Sequence, residues 1–288
     1  MLVIADAGST KADWLVHDGS ELVGAFQSMG FNPLFHNADI VYAELTGNEG
    51  LRSLSLDAKE VRYFGAGCSS PDMNAIIADG LQRFFPNARI HVEHDLLASA
   101  LATCGNEEGI ACIIGTGSNS CWFDGKMVHE GNYGLGYVLG DEGSGSWFGK
   151  QLLREFLYNR MPDELLSEFS TAFGLDKAAV VDRVYRQPHA NVWLASFTRF
   201  LTAHPDHPWV KELVRDGFRE FAKYCICDYP GYDRVKVHFV GSLSFLFKAR
   251  LEEVAAENGF TIGKVIKQPI EELMAYFLKE GFSSEMPS

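Results

Sequence analysis

The sequence predicts an α/β protein in which one small mixed unit is used twice, and three observations carry that reading. The chain has 288 residues, about two domains at roughly 150 residues each. Its opening and its middle repeat one pattern: an apolar run, a small-residue turn, a second extended run, an Asp-Gly turn and a third run. Each copy leads into a mixture of strand and helix segments, the composition of an α/β domain.

The first copy reads LVIADAGSTKADWLVHDGSELVGAF. Residues 2–5 form an apolar strand that enters a turn at Asp6-Ala7-Gly8-Ser9-Thr10. Residues 12–17 are a second strand, Asp18-Gly19 a hairpin turn and residues 21–26 a third strand. Helices are expected over 37–51 and 72–85, the latter opened by Ser70-Pro71-Asp72. Residues 61–65 and 88–93 read as strands and 96–103 as a helix. The polar run Asn106-Glu107-Glu108-Gly109 is the candidate hinge.

The second copy reads GIACIIGTGSNSCWFDGKMVHEGNYG. A strand over 110–114 enters Gly115-Thr116-Gly117-Ser118, a strand continues to residue 123, and Asp124-Gly125 turns into a short third strand. Mostly helical sequence follows, over 146–159, 162–173, 177–185, 192–203 and 209–228. A strand over 235–240, a helix over 245–258, a strand over 262–266 and a closing helix over 269–279 complete the plan. The tail 280–288 is expected to fray.

Composition narrows the functional classes. Lys and Arg number 25 against 38 Asp and Glu, a net charge of −13, so no broad basic field exists for a nucleic acid or an anionic membrane. No apolar run approaches the ~20 residues of a membrane span. Asp6 interrupts the first apolar run and no basic segment precedes it, unlike a secretory signal. The six cysteines include no CxxC pair, which fits reduced thiols. The expectation is a soluble, acidic, cytoplasmic protein without nucleic-acid or membrane partners.

The two small-residue turns are the first chemical candidates. Successive N–H groups and hydroxyls make an anion-binding concavity, and Gly8 and Gly117 let phosphate oxygens approach closely. Lys11 adds positive charge to the first. Each turn alone is more often a plain tight hairpin; two in equivalent places could grip a polyphosphate from both sides. Other phosphate loops fit worse: Ser120 stands where GxGxxG needs its third glycine, and residues 143–151 miss the Walker pattern by one residue and by Gln151. Asp6, beside the first turn, suits a hydrated Mg2+ or else satisfies the turn's own N–H groups. Asp95, in HVEHDLLASA, and Asp141, in GDEGSGSW, each precede a helix; a cap and a functional carboxylate are both open readings. His91 and His94 lack zincin spacing, Cys225 and Cys227 lack a second pair, and Trp147 and Phe148 suit the core.

With DAGSTKADW, VEHD, IIGTGSNS, GDEGSGSW and VHFVGSLSF along the chain, the sequence resembles the actin/hexokinase/Hsp70 superfamily, and within it the BadF/BadG-type ATPase group that includes N-acetylglucosamine kinases. The resemblance runs over nearly the whole length. It implies two duplicated ribonuclease-H-like domains with an interdomain nucleotide cleft: residues 1–107, to which the closing helix 269–288 could return, and 108–268 with a helical insertion. It implies ATP and Mg2+ as cofactors and a small-molecule amino sugar as partner, with a homodimer left open.

By motif, the resemblance assigns Gly8, Ser9, Thr10 and Lys11 to the first phosphate loop, with Asp6 near the metal, and Gly115, Thr116 and Gly117 to the second. Gly241 and Ser242 match the nucleoside turn, and Asp95 matches the catalytic aspartate. Asn32, Ser118, Asn119 and Asp141 match the sugar site, with Gly134, Leu135 and Gly136 forming a loop beside the acetamido group. Leu135 stands where the animal enzymes carry tryptophan, and Ser242 where a second glycine is common. The activity implied is ATP-dependent phosphorylation of N-acetylglucosamine at its 6-hydroxyl; glucosamine, glucose and N-acetylmuramic acid are the other acceptors in view. Two rivals stand beside it. One is an iron–sulfur ATPase activator of a dehydratase, with Cys104, Cys112 and Cys121 as the cysteines to weigh; the other is a sugar sensor without catalysis.

Overall fold

Two five-stranded mixed sheets form, and both follow one strand order. The structure is a computed structural model that describes residues 1–8, 11–131 and 133–280. The first half contains β1 (Leu2–Ala7), β2 (Ala12–His17), β3 (Leu22–Ser28), α1 (Ala38–Gly47), α2 (Glu49–Leu54), β4 (Glu60–Gly65), α3 (Pro71–Phe84), β5 (Arg89–His94) and α4 (Asp95–Cys104). The next segment contains β6 (Glu108–Ile114), β7 (Ser118–Asp124), β8 (Val128–Glu130), α5 (Gly136–Leu139) and α6 (Gly145–Leu157). Then come α7 (Asp163–Phe173), α8 (Lys177–Tyr185), α9 (Ala190–Ala195), α10 (Thr198–Ala203) and α11 (Pro208–Cys225). The chain closes with β9 (Lys236–Val240), α12 (Ser242–Leu246), α13 (Lys248–Asn258), β10 (Thr261–Ile266) and α14 (Ile270–Glu280).

The first sheet runs β3-β2-β1-β4-β5 and the second, from the same end, β8-β7-β6-β9-β10. In the first, β1 lies antiparallel to β2 and parallel to β4. In the second, β6 is parallel to β9 and β9 to β10. The repeated sequence pattern is therefore a repeated topology, with each copy's first strand at the centre of its sheet.

The described chain divides into two compact units. One comprises Met1–Glu107, Phe123–Val128 and the described residues from Gln268 on; the other comprises Glu108–Trp122 and His129–Lys267. Helix α14 packs on β1, β2 and α4 of the first unit. Each unit has its own core: Val3, Ala5, Trp14, Val61, Tyr63 and Phe85 in the first, and Cys112, Ile114, Phe148, Phe218, Phe221 and Phe239 in the second. Strand β2 illustrates the cause. Ala12, Trp14 and Val16 are buried on one face while Asp13 and His17 point to the other, the two-residue period of a strand.

The helices differ from expectation chiefly in where they break. The helix expected over 37–51 is two, because Asn48 accepts from Leu51 N–H at 3.1 Å to start α2 and donates to Gln27 O at 2.8 Å. Residues 192–203 also divide, into α9 and α10, and 245–258 into α12 and α13, with no side-chain cap at the start of α10 or α13; α12 begins already at Ser242. Helix α11 stops at Cys225, and α5 was not foreseen. Glu108 and Gly109, expected in the hinge, already belong to β6. Trp147 and Phe148 are buried. Residues 281–288 lie outside the described residues. No described helix is long and apolar enough to cross a membrane.

Candidate active site

In the first unit, β1 and β2 frame the first turn. Gly8 N–H donates to Lys11 O at 3.0 Å; Ser9 and Thr10 lie outside the described residues. Gly30 backs this turn, since a Cβ there would stand 1.9 Å from Gly8 O and 2.8 Å from Lys11 N. Asp6 and Asp13 are direct cross-strand partners, so both carboxylates project from one face. Asp6 is pushed up to about 7, first by burial and then by the charges of Asp95 and Asp13, against the opposing pull of Lys11. A cation would relieve that repulsion. Asp6 thus fits a hydrated divalent ion held through few protein carboxylates.

Asp95 is the first residue of α4, and His94 is its cap, accepting from Leu96 N–H through Nδ1 at 3.4 Å. The helix cap is His94 rather than the Asp95 carboxyl. That carboxyl lies 3.3 Å from His94 Nδ1, and burial raises its pKa against His94 and the local N–H groups, which lower it. Two carboxyls that hold protons more tightly than usual, in electrostatic contact beside a lysine, form a setting suited to proton transfer.

Asn32 is buried on the loop after β3. Its N–H donates to His36 Nδ1 at 3.0 Å and its Oδ1 accepts from Leu34 N–H at 2.9 Å. Tyr63 Oη exchanges hydrogen bonds with the backbone of Phe31 at 3.0 Å. Gly67, at φ +82°, leaves room for the Asn32 amide, 2.7 Å from where its Cβ would be.

In the second unit, Gly115 N–H donates to Gly117 O at 2.9 Å. The start of α6 braces this turn: Gly145 N–H donates to Gly115 O at 2.8 Å and Ser146 N–H to Thr116 O at 2.9 Å. Asp141 is buried at φ 60°, a conformation rare outside glycine and seen where surroundings enforce it. It is not the helix cap, which is Ser144. Asp141 accepts from Ser118 N–H at 3.3 Å and from Ser146 Oγ at 3.4 Å, and burial raises its pKa. Ser118 Oγ donates to Glu142 O at 2.8 Å.

Gly241 lies against the same turn, at φ 139° with its would-be Cβ 2.0 Å from Ile114 O. The glycine requirement falls there, whereas Ser242 simply opens α12. Gly134 and Gly136 both have positive φ, and Gly134 abuts the Asn119 amide. Between them Leu135 is 58% exposed, and Val138 and Leu139 in α5 are 70% and 75% exposed. Tyr133 Oη donates to Asp228 at 2.9 Å and Lys150 Nζ to Tyr137 O at 2.5 Å, fastening the loop at two points.

The first unit thus groups Asp6, Lys11 and Asp95, with Asn32 on a separate braced loop. The second groups residues 115–118 with Asp141 and Gly241, and Asn119 with Gly134. Sequence reasoning missed Asp13, Gly30, Gly67 and the 145–146 brace. Pairing Asp13 with Asp6 across the first hairpin was available from the strand register, but the close approaches of the glycines were not. Cys112 and Cys121, weighed as cluster ligands, are fully buried. Among the described residues no three or more His, Cys, Asp or Glu are grouped to hold a metal.

No family model matches the chain. Solved structures do. A provisionally assigned N-acetylglucosamine kinase from Porphyromonas gingivalis is 36% identical, with a TM-score of 0.91 over 97% of this chain and 99% of that one. A second provisionally assigned N-acetylglucosamine kinase, from Chromobacterium violaceum, shares the fold at 20% identity and a TM-score of 0.71, over 96% and 98% of the two chains. The ROK hexokinase of Thermus thermophilus shares it at 16% identity and 0.53, over 97% and 99%. The duplicated strand order, the near-complete overlap and the identity to the first of these establish that the chain belongs to the N-acetylglucosamine kinase-like, BadF/BadG-type ATPase family of the actin/hexokinase/Hsp70 superfamily.

Proposed function

We propose that the protein is an ATP-dependent sugar kinase whose substrate is an amino sugar, N-acetylglucosamine phosphorylated at its 6-hydroxyl. The observation that carries this reading is the pairing of Asp6 and Asp95, both holding protons more tightly than free carboxyls, beside the Gly8–Lys11 turn. Family membership supports it.

Asp95 orients the sugar hydroxyl and accepts its proton as the new O–P bond forms and the bond from the γ-phosphorus to ADP breaks. The transfer passes through a loose transition state, so positioning and charge neutralisation supply most of the catalysis. N–H groups of both small-residue turns, with Lys11, serve the β- and γ-phosphates. Asp6 is the residue that would hold Mg2+, which would supply neutralisation of phosphate charge when bound. Gly241 and Ser242 accept the nucleoside, and Asn32, Ser118, Asn119 and Asp141 hold the sugar. The loop around Leu135 and Gly136 lies along the acetamido group, an apolar surface suited to its methyl. The six cysteines, none in CxxC spacing, suit a reducing cytoplasm.

The test is ADP release, coupled to a reporter, with N-acetylglucosamine, glucosamine, glucose and N-acetylmuramic acid in turn. N-acetylglucosamine is expected to give the highest kcat/KM. Nucleotide turnover that no sugar stimulates would refute the reading.

A further inference from the structure

We propose that Asp13 is a positioning residue for nucleotide binding: it holds Lys11 over the first turn, where the ammonium meets the phosphates. The inference rests on the kinase reading and concerns a residue outside the phosphate loop itself.

Lys11 is a long side chain, 46% exposed, directly before β2. Left alone it would sample many rotamers and lose that freedom on engaging phosphate. Its Nζ instead lies 2.8 Å from Asp13 Oδ1. Asp13 is itself fixed: Gln27 Nε2 donates to the same oxygen at 2.9 Å, and Gln268 Nε2 donates to Oδ2 at 3.0 Å. Gln27 belongs to β3, and Gln268 lies just before α14, so two elements other than β2 anchor this carboxylate. An ammonium has three donors; Asp13 takes one and leaves two for phosphate oxygens.

Asp13 is also negative, and its removal would ease the approach of an anion. That effect acts at a distance, is screened by water and salt, and opposes the loss of a direct charge-assisted contact. The contact dominates, and the sign of the change tests that judgement.

Asp13→Asn, Lys11→Ala and the double variant are compared with wild type in two assays. The first is calorimetric binding of Mg2+ with a non-hydrolysable ATP analogue; the second is ADP release with sugar saturating. Asp13→Asn keeps acceptor oxygen for one glutamine, and a thermal melt verifies its fold. For it, the analogue's Kd and the KM for ATP rise about five- to twentyfold, kcat stays within about twofold and the KM for sugar is unchanged, the pattern of lost uniform binding. A merely structural role would lower the active fraction, and so kcat, without moving the binding constants. In the double variant the loss equals that of Lys11→Ala alone, because Asp13 acts through Lys11. An unchanged or tighter Kd in Asp13→Asn, or additive losses, overturns the proposal while wild-type turnover upholds the kinase reading. A wild type that binds no nucleotide overturns both.

Discussion

The two units share a strand order and diverge in the chemistry at the equivalent turn. In the first, Asp13 and Asp95 crowd Asp6 with negative charge, and Lys11, paired with Asp13, offsets part of it. In the second, Asp141 is the carboxyl hydrogen-bonded to the turn, and Gly145 and Ser146 N–H groups brace it. One topology therefore supports an ion-rich, titratable turn in one copy and a rigid, largely neutral one in the other. The lesson is that duplication conserves where a turn stands, while the residues flanking it decide what that turn can do.

The strongest way to break this division of labour is Asp95→Asn. We expect kcat to fall about 10²- to 10⁴-fold, with sugar binding retained in calorimetry. Turnover near that of wild type would remove proton acceptance from the first unit.

Close approach, by contrast, should matter equally in both copies. Gly30→Ala and Gly241→Ala each drive a methyl into a carbonyl oxygen, at 1.9 and 2.0 Å. Each should destabilise its unit by about 2–4 kcal/mol, measured by urea unfolding. A loss confined to one variant would mark the other turn as the more compliant.

The next effect sharpens the titratable half. Asp6 sits near 7 when folded and ordinarily near 3.8. Its ionisation therefore works against the folded state, and the metal-free protein loses stability from this group as pH rises from about 4 to 7, with no further loss above. Asp6→Asn removes that loss, which Tm measured against pH without Mg2+ would reveal. Because a metal takes the ionised form, Mg2+-nucleotide affinity should rise about tenfold between pH 6 and 8 in wild type and stay flat in the variant.

The smallest change is expected on α5. Val138→Ser and Leu139→Ser alter side chains that are mostly in water, so stability should move by less than about 0.5 kcal/mol. A shift in the KM for the sugar, without one for ATP, would tie that helix to acceptor choice.

Much of this was legible in the sequence. The Asp-Gly turns and the alternating Ala12-Trp14-Val16 face gave both hairpins, and the run of residues 235–240 gave β9 within one residue. Asn48 broke the expected helix because a side-chain cap competes with helix continuation, a contest that depends on whether Gln27 O lies within reach. At the site, carboxylates beside turns were visible as residues, but their roles as caps were not. His94 and Ser144 take the caps that were open to Asp95 and Asp141, and only three-dimensional neighbours decide which side chain reaches the helix end. Gly30 and Gly67 carry no local signal, since what they avoid lies on other strands and loops.

Helix α14 gives the first unit a particular history. Phe277 stacks on Phe64 and lies 4.3 Å under the Arg62 guanidinium, so one side of the first sheet receives part of its cover from residues far downstream. During translation that side must wait, covered by α4 alone, while the whole second unit emerges from the ribosome. The half of the molecule that is made first is thus finished last, and a nascent chain stalled before residue 270 should be the species that chaperones capture.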